Sequence, residues 1–543
     1  MATRTTKTVS KKSTAKADAV KAALKKMVKT STAKSASRGS APHLIVVARA
    51  GTGKTTTLIG GLNALMGSTH EVTPSVQQQA IWEAICAEKP ESIKFVAFNK
   101  SIANELAARV PSGVEATTLH SAGNSIVQSK LPRYTKPNGY KTDNIVERLT
   151  GKDSKALWKD GYPINLLRRL VSLCKMELID WKSSTFADDL DALAAHHDLD
   201  MNGSRTILLD MIPKILTEAC DMTAKKFEID FDDMIWLPVI CDLPVRKDDL
   251  LMVDEAQDLN RCQQQLVLRM AHRLVFCGDP KQAIYGFAGA DCKSMQRLEE
   301  TLSSTDRGVK VLPLTTTYRC GHAIVAEANS IVPDFYAADG NPKGMITNLS
   351  ENRLLSEVSD ANMVLCRINA PLVSVCFRLL KAGRKARIQG RDIGEGLIAL
   401  IKKFRASSVG GLIEALEEWH QKETEKLMKK KFTPEAQIIA LNDKHDCLVT
   451  FCSASDTVQG VIDFIQKVFS DDGPGVLLSS IHRAKGLEAT KVYILQPEKM
   501  PHPMAKSQWQ VEQEYNLKYV AITRAKETLV YVNSTSSVDV ENE

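Results

Sequence analysis

The chain has 543 residues, room for three or four folding units at about 100–200 residues each, and its 43% hydrophobic and 25% charged content excludes a disordered or fibrous protein. No apolar run approaches the ~20 residues that cross a bilayer and no signal-peptide core opens the chain, so neither membrane association nor export is expected; a cytoplasmic place (bacterial or virus-infected host cell), or a nuclear one in a eukaryote, is. The formal net charge of +7 sits in residues 1–40, which hold eleven Lys/Arg against Asp18 alone, while the remainder carries 60 basic against 63 acidic residues.

That Lys/Ser/Thr/Ala stretch is too poor in apolar residues to fold alone and reads as a disordered basic tail. It suits any polyanion, bound through counterion release without sequence reading. A solubilising leader or a targeting peptide are its other readings. Val20, Leu24, Met27 and Val28 fall on one helical face, so a short amphipathic helix is possible there.

From residue 43 the pattern repeats as apolar strand, turn and helix. Strands are predicted at 44–48, 94–98, 115–120, 250–254 and 273–278, then at 363–367, 386–389, 475–481, 491–495 and 529–533. Each is short and apolar on both faces, as buried parallel strands are, so two α/β sheets are expected. Mostly helical stretches, 125–225 and 391–470, interrupt the two series; the second contains the charged run QKETEKLMKKK (421–431).

The first strand opens "LIVVARAGTGKTTTL", residues 44–58. Glycines 51 and 53 let backbone N–H groups of Ala50 to Gly53 turn toward phosphates, with Thr52 and Thr56 in the same loop. Lys54 reaches the β/γ oxygens, Thr55 offers a hydroxyl to magnesium, and the helix starting near 54 adds its positive end. Ala48 stands where the usual G-x-x-x-x-G-K-[ST] pattern begins with glycine, and is small enough to keep that geometry. "LLMVDEAQD" (250–258) puts Asp254 and Glu255 at the end of a buried strand, where two carboxylates are costly unless a cation or substrate meets them. Asp254 fits magnesium binding and Glu255 the base that orients the attacking water.

"FCGDPKQAIYGFAGAD" (276–291) ends another strand in acids and glycines. Gln282 suits sensing of a γ-phosphate and coupling it to whatever Tyr285 and Phe287 touch, two aromatics set between glycines. Arg319 in "TTTYRC" and Arg524 in "YVAITRAK" lie in otherwise apolar sequence and read as charges opposed to a P-loop across a cleft. The twelve cysteines stand singly without zinc spacing and read as reduced core thiols.

In this order the motifs resemble those of the UvrD/Rep-like superfamily 1A DNA helicases, nearest to the shorter F-box-helicase-like and viral forms, from about residue 43 to 533. "ARAGTGKTTT" is similar to motif I, "FVAFNKSIANEL" (95–106) to Ia, "TTLHSAG" (117–123) to Ib and "VDEAQD", preceded by "DFDDMIWLP" (230–238), to II. "GDPKQAIYGFAGAD" resembles III, "TTYR" (316–319) IV, "SSIHRAKGLE" (479–488) V and "EYNLKYVAITRAK" (514–526) VI. Ala48 is what the family also carries at its place.

The resemblance implies two RecA-like P-loop domains with parallel sheets, each with a mainly helical insertion. The boundaries expected are 41–124 with 226–315 for the first domain, 125–225 for its insertion, 316–390 with 471–543 for the second, and 391–470 for a small helical insertion. It further implies ATP with Mg2+ in the cleft, Tyr318 stacked on adenine, Glu488 near the ribose, and Arg319 and Arg524 gripping the γ-phosphate. Phe98, Asn99, Lys100 and His120 would line a DNA path in the first domain, His482 and Lys485 in the second. Phe287 would stack on a base.

Two features depart from the family. Its adenine-reading glutamine precedes the P-loop, whereas "TPSVQQQAIWEAI" (73–85) follows it, so Gln77–Gln79 either return to the base by another route or adenine selection is relaxed. Gly286 and Ala288 stand where arginines flank the motif III aromatic. The function expected is an ATP-dependent helicase acting on single-stranded and duplex DNA, 3′→5′ by resemblance. The alternatives are a translocase that displaces proteins from DNA or acts on RNA, and a binding module with a vestigial ATP site.

Overall fold

The computed structural model describes residues 40–533 apart from 69–72, 98–99, 132–134, 198, 225–226, 285–292, 429–434, 470–472, 504 and 506. The readings of the tail, Phe98, Asn99, Tyr285, Gly286, Phe287 and Ala288 fall outside the described residues.

Six strands form the first sheet: β1 (His43–Ala48), β2 (Ile93–Ala97), β3 (Val114–Thr118), β4 (Asp248–Val253), β5 (Ala271–Gly278) and β6 (Val309–Leu314), in the order β3-β2-β4-β5-β1-β6 and parallel throughout. A two-stranded ladder follows, β7 (Thr316–Thr317) with β8 (Tyr336–Ala337). The second sheet holds β9 (Met345–Ser350), β10 (Met363–Cys366), β11 (Ala386–Ile388), β12 (Val476–Ser480), β13 (Ala489–Leu495) and β14 (Ala525–Asn533), ordered β11-β12-β10-β13-β14-β9 and again parallel. The fold is α/β with two RecA-like sheets.

Because parallel strands are buried on both faces, each sheet needs two helical covers. Along β1, Ile45 faces a core shared with helices 141–219 between β3 and β4, while Leu44 and Val46 face one built with helices Lys54–Leu65, Val76–Ile85 and Lys100–Arg109. Each such side chain adds about 2 kcal/mol on burial. The second sheet is covered on one side by helices Arg391–Phe404 through Val458–Val468, on the other by Gln508–Ile522. One buried ion cluster ties the first helical stretch to helix Asp233–Ile240, which precedes β4: Asp233, fully buried, accepts from Lys141 Nζ at 2.5 Å and Lys175 Nζ at 2.8 Å.

Four strands were not expected from their sequences: the two-residue β7 and β8, and the longer pair β6 and β9. Both are sheet edges, where one side of the ladder is unpaired and mixed polarity is tolerated. The third strand ends at Thr118, earlier than the expected 120, because the Thr118 hydroxyl accepts from Ser121 N (3.1 Å) and caps helix Leu119–Gln128. His120 therefore stands in a helical turn.

Candidate nucleotide cleft and strand-binding residues

In the first sheet β5 lies between β1 and β4, so the turn after Ala48, the acids after Val253 and the loop after Gly278 emerge at one edge. Gly51 (φ 65°) and Gly53 (φ 77°) adopt left-handed backbone, and helix Lys54–Leu65 begins immediately after. The Thr52 hydroxyl donates to the Arg49 carbonyl (2.9 Å) and Thr57 N to that of Gly53 (2.7 Å), closing the loop on itself.

Lys54 Nζ lies 3.4 Å from Glu255 Oε1. Burial on its own would lower its pKa, but Glu255, Asp279 and Asp254 outweigh burial and raise it. The Thr55 hydroxyl donates to Asp254 Oδ2 at 2.5 Å. Burial, then repulsion from Glu255, raise the Asp254 carboxyl to about 6, against the pull of Lys54. Glu255 responds oppositely: burial opposes ionisation, yet Lys54 and Lys485 bring it down to about 2. Its backbone sits at φ 53°, a left-handed conformation that a glutamate adopts only under external constraint. Gln257 Nε2 donates to its carboxylate at 2.6 Å.

The Gln282 amide donates to Asp279 Oδ2 (2.7 Å), and Asp279 N to Gln257 Oε1 (3.0 Å), which links the second and third acidic loops. Just past β7 of the two-stranded ladder lies Arg319, whose Nε pairs with Glu488 at 2.5 Å, and immediately before β14 of the second sheet lies Arg524, almost wholly buried and donating to the carbonyls of Val520 and Leu487. Burial and the nearby Arg319 lower the Arg524 pKa to about 10, which leaves it charged at neutral pH. Glu488 also holds Lys526 at 2.7 Å. The Arg524 carbonyl accepts from Ala489 N (3.0 Å), which puts Arg524 beside Glu488.

These side chains surround a cleft of about 300 Å³ lined by Gly51 to Thr56, Ile102, Glu255, Asp258, Gln282, Arg319, Lys485, Gly486 and Arg524. The hydroxyl of Thr55 and the carboxylate of Asp254 face one another as hard oxygen donors, the set that a magnesium ion takes alongside phosphate and water. Ala50, fully buried, donates its N–H to the Tyr519 hydroxyl (2.9 Å). Tyr318 donates its backbone N–H to the Gly51 carbonyl (2.9 Å), and the residue is half exposed.

The glutamines sit behind the loop. Gln77 donates to Thr315 Oγ1 (2.9 Å) and accepts from Thr315 N (3.0 Å). Gln78 closes a capping box with Ser75 and donates to Thr57 Oγ1 (3.1 Å), while Gln79 meets Glu83 on the surface. All three amides are engaged by protein groups.

Of the residues assigned to a DNA path, Lys100 is exposed at the start of its helix. His120 borders a cavity of about 230 Å³ with Lys175, Trp236 and Asn260, and burial lowers its pKa. His482 borders the largest cavity described, about 760 Å³, with Arg367, Arg483, His502 and Trp509; burial and Arg367 lower it to about 3, so it is neutral. Lys485, expected on the DNA path, turns its Nζ into the nucleotide cleft, 2.8 and 2.6 Å from the Asp258 oxygens and 2.9 Å from the Gln282 carbonyl, where that buried carboxylate holds it. Asp258, raised to about 6 chiefly by burial, lies in "VDEAQD" without a role assigned from sequence; a third acid after a buried strand is the available signal. Arg49 and Tyr519 were likewise passed over.

A P-loop, paired acids at neighbouring strand ends, a second parallel sheet and two arginines from the later part of the chain define a two-lobed P-loop protein. The UvrD/REP helicase N-terminal domain matches residues 29–303 and the UvrD-like helicase C-terminal domain residues 389–536. The chain belongs to the UvrD-like helicase family. F-box DNA helicase protein 1 of Schizosaccharomyces pombe is 24% identical over 83% of this chain and 54% of its own length. DNA helicase II of Escherichia coli is 22% identical over 64% of this chain and 47% of its own. ATP-dependent DNA helicase PcrA of Bacillus subtilis is 30% identical over 24% of this chain and 18% of its own. The chain thus spans about half the length of the first two relatives. Among the described residues no helix is long and apolar enough to cross a membrane.

Proposed function

We propose that the chain is an ATP-driven motor that moves along single-stranded DNA, 3′→5′, and separates duplex ahead of it. The observation that carries this is the convergence on one cleft of Lys54, Thr55, Asp254, Glu255 and Gln282 from the loops of the first sheet with Arg319 and Arg524 from the later part of the chain. A nucleotide bound there would meet positive charge from both sides. Hydrolysis followed by departure of the phosphate would remove the negative charge that favours closure, so the lobes would part and close once per cycle.

Lys54 neutralises phosphate oxygens, and ionised Glu255, steadied by Gln257, holds the attacking water. Thr55 and Asp254 would hold Mg2+, which supplies charge neutralisation on the phosphates. Arg319 exchanges Glu488 for the γ-phosphate, and Tyr318 offers its ring to the base. Lys100, His120 and His482, with Phe98, Asn99, Tyr285 and Phe287, would contact the strand. We divide the chain accordingly into a basic tail, 1–40, a first domain, 41–124 with 226–315, and a second, 316–390 with 471–543. Their helical insertions are 125–225 and 391–470.

The test is ATP hydrolysis with and without single-stranded DNA, alongside separation of duplexes with 3′ or 5′ tails. Stimulation by DNA, unwinding from the 3′ tail and loss of hydrolysis in Lys54→Ala are expected. Hydrolysis unaffected by Lys54→Ala would sink the reading; stimulation without strand separation would favour a protein-displacing translocase. Deleting residues 1–40 should flatten the salt dependence of DNA binding, since eleven cations leave with it.

A further inference from the structure

Arg49 belongs to the phosphate-binding turn, yet it faces away from the cleft. Its side chain is 11% exposed. Nε and Nη2 donate to the two oxygens of Asp334 at 2.9 and 2.7 Å, while Nη1 lies 3.4 Å from Asp279 Oδ1 and donates to the Ala48 carbonyl at 3.0 Å. Asp334 immediately precedes Phe335, which packs edge-on to Tyr519 in the core of the second lobe. Asp279, fully buried, belongs to the first lobe. Arg49 is thus a first-lobe cation gripped by one carboxylate from each lobe.

The contacts continue inward. The other oxygen of Asp279 receives the Gln282 amide, its N–H reaches Gln257, and Gln257 reaches Glu255. An unbroken line of polar contacts therefore runs from Glu255 through Gln257, Asp279 and Arg49 to Asp334. We propose that Arg49 and Asp334 are positioning residues which transmit movement of the second lobe to Glu255 and Gln282, so that nucleic-acid engagement sets the hydrolysis rate.

The chemistry of the fork supports this. A planar guanidinium held at two oxygens fixes angle as well as distance, which a point charge such as lysine cannot do. If the second lobe withdraws Asp334, the whole cation falls to Asp279. It then competes with Gln282 for that carboxylate and loosens the group poised over the phosphate. The coupling rests on the ATPase reading above, and a double-substitution cycle isolates it.

The experiment measures kcat and KM for ATP, with and without single-stranded DNA, in the unsubstituted chain, Asp334→Asn, Arg49→Gln, Arg49→Lys and the Arg49→Gln/Asp334→Asn pair. Asp334→Asn should keep its DNA-free rate, hold KM within about twofold and lose about fivefold to tenfold of the DNA-stimulated kcat. The pair should be no worse than Arg49→Gln alone, with Arg49→Lys intermediate. Full stimulation in Asp334→Asn, an equal loss with and without DNA, or losses that multiply in the pair would each overturn the coupling. Should Arg49→Gln fail to fold, Asp334→Asn against Asp334→Glu decides it, with Asp334→Glu expected to recover stimulation. No hydrolysis in the unsubstituted chain overturns the motor reading, and the coupling with it.

Discussion

At Gly51 the two lobes touch through backbone, its carbonyl accepting from Tyr318 N at 2.9 Å. A Cβ at this position would stand 2.4 Å from Arg319 Cβ and 2.7 Å from Thr317 Oγ1, and the φ of 65° disfavours any L side chain besides. Left-handed strain of about 1–2 kcal/mol and overpacking of about 1–3 add up, so Gly51→Ala is expected to cost about 2–4 kcal/mol in urea unfolding and to displace Arg319. A fall in stability below 1 kcal/mol would mean that the turn and Arg319 can part freely. His43 makes a pH prediction. Burial, then Arg307 and Arg273, lower its pKa to about 4 from 6.5, and its Nδ1 accepts from Leu274 N at 3.1 Å. Since the unfolded chain takes up this proton first, stability is complete above about 6.5 and declines as pH falls toward 4. The His43→Asn variant should show a shallower loss over that window, by on the order of 2–3 kcal/mol, in denaturation at pH 6.5 and 4.5.

Helix Val76–Ile85 shows how an element is turned from one task to another. Its sequence carries three glutamines, and sequence alone left open whether they read a base. The fold answers with backbone demands: Thr315 N, at the end of an edge strand, needs an acceptor and Gln77 supplies it, while the first turn of the helix needs Gln78 for its capping box. Trp82 then donates to the Thr57 carbonyl (2.8 Å), fastening the helix to the P-loop helix. Gln77→Ala is accordingly expected to cost about 1–3 kcal/mol through an unpaired Thr315 N–H. It should leave the ratio of ATP to GTP hydrolysis unchanged; a shifted ratio would restore a base-reading role.

For the whole molecule, the lobes meet through an apolar cluster that takes in Ala50 and Ile284 and through polar contacts around the cleft. Lys485 reaches from the second lobe onto Asp258, with both side chains nearly buried, 9% and 2% exposed. Removing one partner strands the other charge, so Lys485→Met should cost about 3–5 kcal/mol, whereas Lys485→Met with Asp258→Asn should recover most of the loss. Thermal unfolding of the four proteins checks this, and equal losses in single and double variants would argue against a buried pair. Together with the Tyr519 hydroxyl on Ala50, this pair keeps the lobes joined at the site where nucleotide enters.

The sequence by itself picked out most of the residues that line the cleft. A glycine turn after an apolar strand, and acids at the ends of two others, are local patterns whose chemistry follows from residue type and spacing, and ten strands that follow the same alternation could be read with them. Edge strands β6 and β9 escaped because an edge tolerates mixed polarity. Only tertiary structure decided the partners. That Lys485 belongs to the cleft, that Gln77 serves a backbone N–H and that Arg49 spans the lobes depends on carboxylates and amides more than 200 residues away in the chain, and a buried charge takes the nearest partner in space, whatever its distance in sequence.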